Sequence, residues 1–452
     1  MERGASIINK MPLPADKHGT ARVPSSRFER TARTAALMMR IGGNAGGALL
    51  KDLITTGSVD YQKAVLTPHN LKATVQSLKH LRGAAMKLGQ LMSIDDSVVL
   101  TPELSAILAE LRASGYAMPP RQLKHVLDRE WGAGWQTQFR SFNVRPIAAA
   151  SIGQVHQAVL KTGERVAIKV QFPNVRETIE SDVKTLVSVI KRLNLAPSSV
   201  DLEYYASQCI TQLQQETDYG VEANYMRRFA GHLNAHECLS VPIVYDALTT
   251  KTILCMSFEN GAPLETAKDW AQEDKNALAL DMFELLLAEI FDFNLVQTDP
   301  NLANYLVDPA NKSLTLLDFG ACCEMSPSSI AIYHDLLEAG LTFDPQAVKH
   351  VMKRHGLMPD RLQGEMEHFV DELLAQVFQE LSASPVFDFG TTRIFDMIDV
   401  NNINIYRDLL PPSNVPMDLM FTQRKIIGFV LFFKSLDAQI PVLDILTRLQ
   451  SR

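Results

Sequence analysis

The stretch Gln297–Gly320, QTDPNLANYLVDPANKSLTLLDFG, contains two short motifs on either side of a predicted strand pair. Asp299 and Asn304 stand five positions apart in a loop rich in Pro and Asn, and a hydrophobic strand then ends in an Asp-Phe-Gly that begins at Asp318. In phosphoryl-transfer enzymes, a D-x-x-x-x-N loop places a carboxylate at the attacking group and an amide on a metal ion. The Asp of an Asp-Phe-Gly binds the Mg²⁺ that bridges the phosphates. Either motif alone also arises by chance.

A third motif lies upstream, where the strand-like run V-A-I-K ends at Lys169. A lysine there can pair with phosphates and be held by an acid from a neighbouring helix. Taken alone, most such lysines are solvent-exposed charges at strand ends. The order of V-A-I-K, then D-x-x-x-x-N, then an Asp-Phe-Gly fourteen residues after Asn304 is much harder to obtain by chance. This order predicts a kinase-like nucleotide site.

The pattern of apolar residues around these motifs predicts helices and strands in a bilobal order. The predicted helices are residues 60–95, 102–130, 174–195, 201–232 and 270–294 and an all-helical tail over 327–452. The predicted strands are a hairpin within 139–172 that turns at Thr162-Gly163, two short runs at 241–246 and 252–258, and a pair before the Asp-Phe-Gly.

We therefore predict an α+β protein with a bilobal protein-kinase-like fold, an N-terminal helical extension and a helical C-terminal tail. Its predicted segments are a flexible tail (1–26), the helical extension (27–135), a strand-rich N-lobe (136–260) and a helical C-lobe with the catalytic loop (261–452).

Composition excludes several other classes of protein. Of the 452 residues, 46% are hydrophobic and 21% charged, which argues against collagen-like, coiled-coil and mostly disordered chains. The net charge of −7 argues against a nucleic-acid-binding protein. The five cysteines have no C-x-x-C spacing, so a disulfide framework or zinc site is disfavoured and a reducing compartment is favoured.

Charge is unevenly distributed along the chain. Residues 1–50 contain eight Lys or Arg and three Asp or Glu, a net +5 that leaves −12 for the remainder. Such a basic segment is compatible either with an anionic membrane surface or with a solvated tail. A basic amphipathic helix on anionic lipid is one hypothesis, formed by Arg27, Arg30 and Arg33 beside Phe28, Leu37 and Met38. No segment approaches the ~20 apolar residues of a membrane span, so we expect a cytoplasmic or matrix-side, peripheral protein without a transmembrane helix.

The segment AAASIGQVH, Ala148–His156, occupies the place where a glycine-rich phosphate cover would lie. Alanine carries a Cβ atom, so this loop can neither use positive φ freely nor approach phosphates as closely. We expect the site to treat nucleotides differently from an ordinary kinase.

The chain resembles the UbiB family of atypical protein-kinase-like proteins, which includes the ADCK and AarF proteins. The resemblance covers roughly Arg27 to Met325, and the wording of QTDPN and the VPSSR start are closest to the clade tied to ubiquinone biosynthesis. Seven motifs carry it in the family's order, namely KLGQ at Lys87–Gln90, AAASIGQVH, VAIK, ETD at Glu216–Asp218, Glu222, QTDPNLAN and LLDFG.

The resemblance implies a role for each matching residue. Lys169 would contact the α- and β-phosphates of ATP or ADP with Glu222 as its partner, although Glu216 lies only six residues away on the same predicted helix. Asp299 would occupy the position of the catalytic base, and Asn304 and Asp318 would hold Mg²⁺. The nucleotide would also be contacted by Ala148, Ala149, Ala150, Ser151, Ile152 and Gly153 and by the hinge 257–261 that includes Glu259.

The KLGQ motif has a regulatory role in the family. There, its lysine and glutamine meet the acids of the ETD motif, which is thought to block protein substrates and to restrain phosphoryl transfer onto the protein itself. The corresponding residues here are Lys87, Gly89, Gln90, Glu216 and Asp218. From spacing alone, Lys87 would be a solvent-facing helical lysine and the two acids ordinary helix-surface residues.

The resemblance implies an ATPase, or a small-molecule or lipid kinase, that uses Mg-ATP to support ubiquinone biosynthesis at a membrane. Its partners would be nucleotide, anionic lipid, and quinone-pathway enzymes or precursors. Nucleic acid is not an expected partner, and a homodimer is one expected possibility. The alternative is a non-catalytic, nucleotide-switched scaffold for quinone-pathway enzymes. A conventional Ser/Thr protein kinase is disfavoured, because no Ala-Pro-Glu follows the Asp-Phe-Gly at the expected range.

Overall fold

The computed structural model describes residues 75, 78, 81–92, 101–113, 117–196, 200–234, 236–359, 364–397 and 416–451. The predicted tail, the predicted basic helix near Arg27 and most of the predicted helix 60–95 lie outside these residues. The described residues form two compact units. Unit 1 contains those up to Ala223 together with Val244–Phe258, and unit 2 contains Asn224–Ile243 and those from Glu259 onward. The units divide the chain differently from the four predicted segments, whose boundaries remain predictions.

The described helices and strands are numbered in chain order. The helices are α1 (Arg82–Met92), α2 (Pro102–Ala113), α3 (Pro120–Trp131), α4 (Val175–Arg192), α5 (Leu202–Glu216), α6 (Tyr219–Leu233), α7 (Gln272–Phe291), α8 (Pro327–Leu341), α9 (Pro345–Arg354), α10 (Glu365–Ala383), α11 (Ile394–Met397), α12 (Met417–Ser435) and α13 (Val442–Gln450). The strands are β1 (Phe139–Phe142), β2 (Ala148–Ala149), β3 (Gly153–Leu160), β4 (Arg165–Gln171), β5 (Leu239–Ser240), β6 (Ile253–Ser257), β7 (Ala262–Pro263), β8 (Leu295–Gln297), β9 (Tyr305–Asp308), β10 (Ser313–Leu316), β11 (Cys322–Glu324), β12 (Phe387–Asp388) and β13 (Gln439–Ile440).

Unit 1 contains a five-stranded antiparallel sheet in the order β1-β3-β4-β6, with β2 paired to β3. The predicted hairpin within 139–172 corresponds to β3 and β4, which pair through Gly153↔Gln171 to Val159↔Arg165. Because β4 is central, Val166 to Gln171 are all buried and the strand lacks the alternation of a half-exposed sheet.

Two of the predicted helices are each interrupted. The predicted helix 201–232 is two helices, because Thr217 Oγ1 donates to the Gln214 carbonyl at the end of α5 and Asp218 Oδ1 accepts from Gly220 N at the start of α6. The predicted helix 102–130 is also two, because Pro119 is extended with ψ 149 and Pro120 begins α3. Glu216 and Glu222 therefore lie on different helices.

Unit 2 contains three small sheets and the remaining helices. A four-stranded sheet has the order β5-β10-β9-β7, and β8 pairs with β11. The predicted all-helical tail also contains the pair β12-β13, in which Phe387 lies opposite Ile440.

The predicted strand over 241–246 is wrong. In its place, within unit 1, Val244 makes an isolated bridge to Met256, and a 3₁₀ turn follows at Asp246–Leu248. Pro242 cannot donate a ladder hydrogen bond, which explains why pairing does not extend through this run.

Helix α12 contains the most apolar run of the chain, Ile426–Phe433. Phe429 and Phe433 are fully buried, whereas Ile427 and Leu431 are 53% and 51% exposed, so the helix packs by one face. Across the described part of the chain, no helix is both long enough and apolar enough to span a membrane.

Candidate active site

In unit 1, Lys169 on the central strand β4 forms a buried ion pair with Glu222 on α6. The Lys169 Nζ lies 2.6 Å from Glu222 Oε1, and the two side chains are 8% and 4% exposed. The Lys169 Nζ also lies 5.5 Å from the ring centroid of Tyr219. A charge buried to this degree is tolerated when it is paired and hydrogen-bonded. Between the two acids that the sequence left open, the structure pairs Glu222 with Lys169.

The Ala-rich segment forms a tight antiparallel turn. Ala148 lies opposite Val155 in the β2-β3 pair, and Ala150 N donates to the Gly153 carbonyl. Neither Ala150 nor Ser151 has a positive φ, so the turn has the geometry that residues with a Cβ allow. Gly153 is required by close packing, since a Cβ atom there would lie 2.4 Å from the Val170 carbonyl oxygen.

Helix α1 packs directly onto this turn. Lys87 Nζ donates to Glu216 Oε1 at 2.7 Å, and Ser151 Oγ donates to Glu216 Oε2 at 2.9 Å. A Cβ on Gly83 would lie 2.6 Å from the Ser151 carbonyl oxygen, so glycine allows the close approach of helix and turn. Glu216 therefore joins α1, the Ala-rich turn and the end of α5.

The other residues of the KLGQ and ETD motifs have different surroundings. Gly89 faces α2, where an added Cβ would lie 3.4 Å from Leu108 Cδ1. Asp218 Oδ1 accepts from Gly220 N at the start of α6. Gln90 lies in α1, and its side chain is outside the described residues. Glu259 is half-buried in the extended segment after β6, where the chain returns from unit 1 to unit 2.

In unit 2, the D-x-x-x-x-N motif lies between β8 and β9. Asp299 Oδ2 accepts from Asn304 Nδ2 at 3.0 Å, and its Oδ1 accepts from Asn301 N at 3.3 Å. Asn301 in turn caps the 3₁₀ turn Leu302–Asn304, because its Oδ1 accepts from Ala303 N. The loop thus holds both oxygens of Asp299 and brings it together with Asn304.

The Asp-Phe-Gly follows β10 and is joined to the catalytic loop. Leu317 N donates to the Asn304 carbonyl at 2.8 Å, and Asp318 Oδ1 accepts from Gly320 N at 2.9 Å. Phe319 is fully buried, with its ring centroid 5.0 Å from that of Phe229 on α6. This packing fixes the backbone that presents the Asp318 carboxylate.

A buried network of hydrogen bonds and one ion pair supports the loop that contains Asp299. Lys425 Nζ on α12 donates to both carboxylate oxygens of Glu289, and both side chains are fully buried. Gln297 N donates to Glu289 Oε2, while Gln297 Nε2 donates to the Asp318 carbonyl at 3.0 Å. Tyr305 Oη donates to Gln297 Oε1 at 2.6 Å, and burial, followed by the nearby carboxylate of Glu289, raises the pKa of Tyr305 well above its usual value.

The sequence motifs predict no role for this network. Gln297 belongs to QTDPN without a predicted function, and Tyr305 and Lys425, which contact it, belong to none of the motifs with a predicted role. The signal for Gln297 is its position as the last residue of the buried strand β8, two residues before Asp299. No local pattern indicates Lys425, which lies far away in the sequence.

The residues at the loop fit a divalent cation. Asn304 uses its Nδ2 in the bond to Asp299, which leaves the amide oxygen for a metal, and Asp318 offers a carboxylate; both are the hard oxygen ligands that Mg²⁺ prefers. Among the described residues there is no cluster of three or more His, Cys, Asp or Glu side chains suited to a metal. A cation here would accordingly take other ligands from phosphates and water, as is usual for Mg²⁺.

Known proteins are similar to this chain over most of its length. Residues 110–352 match the model of the ABC1 atypical kinase-like domain. The chain is 32% identical over 422 residues to "Atypical kinase COQ8, mitochondrial" of Saccharomyces cerevisiae, covering 92% of this chain and 83% of that protein. It is 34% identical over 454 residues to "Atypical kinase COQ8B, mitochondrial" of Rattus norvegicus, covering 97% and 83%.

A solved structure shows the same fold. The Mycobacterium tuberculosis protein of the Rv3197-erythromycin complex matches 94% of this chain and 98% of its own, with a TM-score of 0.56 and 22% identity. At that identity the likeness concerns the fold alone, which is α+β and kinase-like.

Proposed function

Because this chain belongs to the UbiB/ADCK family of atypical kinases, whose ABC1 kinase-like domain it contains, we propose that it uses Mg-ATP to support ubiquinone biosynthesis. In this proposal it either hydrolyses ATP or transfers the γ-phosphoryl group to a small molecule or lipid.

The observation that carries the proposal is the buried pair of Lys169 and Glu222. In protein kinases, the corresponding pairing of a strand lysine with a helix glutamate must be in place for phosphoryl transfer. Here the two side chains are 2.6 Å apart and almost fully buried. The place of this pair, between the lysine of the V-A-I-K strand and a glutamate of a helix, matches that pairing and supports a catalytic use.

Each site residue has a proposed part in the reaction. Lys169 neutralises the α- and β-phosphates, and Asp299 orients the attacking oxygen and receives its proton. Asn304 and Asp318 would hold Mg²⁺, which neutralises charge on the phosphates. The hydrogen bonds that fix both Asp299 oxygens leave little reorganisation during the reaction, and such preorganisation is the main source of catalysis in phosphoryl transfer.

The Ala-rich turn supports a substrate smaller than a protein. Lys87 and Ser151 both donate to Glu216, so α1 is held against the turn that would cover the phosphates. With α1 packed on this turn, a peptide would be hindered from approaching the nucleotide. We therefore favour water, a small molecule or a lipid as acceptor.

The location proposed is cytoplasmic or matrix-side, with peripheral attachment to anionic lipid through the basic segment near Arg27. The two relatives described above carry the word "mitochondrial" in their names, which supports the matrix side. Quinone-pathway enzymes or precursors are the proposed partners at that surface.

Asp299→Asn separates catalysis from scaffolding. The substitution keeps the size of the side chain but removes its charge, so we expect nucleotide turnover to fall by about 10²-fold or more, with nucleotide binding retained. Quinone content of cells that depend on this chain should then fall to the level of cells without it. Asp269→Asn, at an exposed site, is the matched control. Normal quinone content with Asp299→Asn, despite lost turnover, would favour the nucleotide-switched scaffold.

A further inference from the structure

Helix α12 lies outside residues 110–352 of the family domain, yet one of its faces contacts the catalytic machinery of unit 2. A Cβ on Gly428 would lie 2.4 Å from Pro300 Cβ, so glycine lets the helix touch the residue next to Asp299. One turn earlier, Lys425 pairs with Glu289 beneath the same loop.

The same helix also holds the segment after the Asp-Phe-Gly. Asp418 Oδ2 accepts from Ser326 N at 2.7 Å, and its Oδ1 accepts from Ser329 Oγ at 2.9 Å. Because α12 is anchored both at the loop and at the start of α8, its position relative to Asp299 is fixed. A side chain on this face can therefore act on the loop with defined geometry.

Arg424 is that side chain. Its Nη2 lies 3.8 Å from Asp299 Oδ1, and the two side chains are 19% and 21% exposed. Burial lowers the pKa of Arg424, and the Asp299 carboxylate opposes this, so the guanidinium is placed at some cost beside the acid. Arginine in such a position retains its charge.

The catalytic loop itself has no cation. Gln297–Asn304, QTDPNLAN, contains neither Lys nor Arg. Asp299 receives a hydrogen bond from Asn304 on Oδ2 and one from Asn301 N on Oδ1. Both of these donors belong to the loop. They therefore hold the carboxylate only as firmly as the loop backbone itself is held. Arg424 approaches Oδ1 from a separate, rigid element.

We propose that Arg424 is a positioning residue, supplied by the C-terminal helix α12, that holds the Asp299 carboxylate in its reactive orientation. This inference rests on the proposed function, since it assigns a role in the same reaction. It also makes α12 a functional part of the catalytic unit, although the family domain ends before it.

The test compares steady-state kinetics and nucleotide affinity of the full chain for Arg424→Gln and Arg424→Lys. A positioning residue acts after nucleotide is bound, so Arg424→Gln should lower kcat about 10- to 100-fold while the dissociation constant of Mg-ATP changes less than about twofold. Arg424→Lys restores a charge on a flexible stem and should recover a large part of the loss. Arg448→Gln, at a 61% exposed arginine in α13, is the matched control and should match the wild type.

Two results would overturn the inference while leaving the proposed function intact. One is an Arg424→Gln variant with a kcat within twofold of an active wild type. The other is a parallel loss of kcat, Mg-ATP affinity and melting temperature that Arg424→Lys shares in full, which would mean that Arg424 only packs. A wild type without any turnover would instead contradict the proposed function, and the inference would fall with it.

Discussion

At the scale of single residues, three buried lysines in the described part of the chain are each paired with a glutamate. Lys169 is held by Glu222, Lys87 by Glu216 and Lys425 by Glu289, and each lysine is less than a tenth exposed. Removing one member of such a pair leaves an uncompensated charge, which typically costs about 3–5 kcal/mol. Substitutions at these positions should therefore keep the charge or replace both partners.

His156 on β3 shows the same principle for a neutral group. Its Nδ1 donates to the Asn143 carbonyl, and its Nε2 accepts from Gln154 Nε2, an arrangement that requires the neutral ring. Burial lowers the pKa of His156 below its ordinary value of 6.5. The unfolded chain thus binds a proton below pH 6.5 that the folded chain does not bind, so this group's contribution to stability falls as the pH drops.

His156→Leu tests this dependence. At pH 7.5 the variant should lose about 1–3 kcal/mol of unfolding free energy, because Gln154 Nε2 and the Asn143 carbonyl lose their partner. The difference from wild type should narrow as the pH is lowered toward 5, since the wild type then loses the contribution of neutral His156. Urea unfolding at several pH values measures both effects, with the exposed His350→Leu as control. A difference that stays constant across this pH range would contradict the assignment.

At the scale of elements, the contact between α1 and the Ala-rich turn depends on a glycine. The Ser151 carbonyl approaches Gly83 so closely that a Cβ there would lie 2.6 Å from its oxygen. The Glu216 carboxylate is bonded to both elements, through Lys87 and Ser151. A displacement of α1 would therefore break these bonds as well.

Gly83→Ala should destabilise unit 1, although alanine is a better helix former than glycine. Alanine gains about 1 kcal/mol of helix propensity, but overpacking against backbone typically costs about 1–3 kcal/mol, and the Glu216 bonds are strained in addition. Gly231→Ala in α6 is the control, because that glycine is exposed with no atom within 4 Å of an added Cβ. Its unfolding free energy should rise slightly. Equal stability of the two variants in urea unfolding would argue against the close contact.

The pattern of apolar and turn residues predicted the helices and strands that are determined by residues close together in the sequence. The β3-β4 hairpin follows from alternation and a Thr-Gly turn, and α7 follows from its long apolar spacing. The divided helices were missed because Thr217 and Asp218 end one helix and start the next with hydrogen bonds that a hydrophobic period does not show. The sequence does contain a signal for this break, because Thr217 and Asp218 are residue types that commonly cap helices.

The site could be predicted only in part for the same reason. Spacing and resemblance indicated Lys169, Asp299, Asn304 and Asp318, whose motifs are continuous in sequence. Arg424 was missed because its relation to Asp299 arises from the packing of α12, which no local period encodes.

At the scale of the whole molecule, the proposed machinery is divided between the two units. Unit 1 contains Lys169 and Glu222, and unit 2 contains Asp299, Asn304 and Asp318. The chain passes between the units after Ala223, Ile243 and Phe258, so neither unit is one continuous stretch of sequence. Under the proposed function, activity is a property of the full chain, and the full chain is what should be assayed.

The central claim is that this chain turns over Mg-ATP, and γ-labelled ATP tests it most directly. The purified full chain would be incubated with Mg²⁺, anionic liposomes and a lipid extract, beside Asp318→Asn and the exposed Asp444→Asn as control. We predict label in free phosphate, or on a lipid or small molecule, at a rate that Asp318→Asn lowers about 10²-fold or more and Asp444→Asn leaves unchanged. Tight binding of Mg-nucleotide without any release or transfer of label would contradict the claim and favour a nucleotide-switched scaffold.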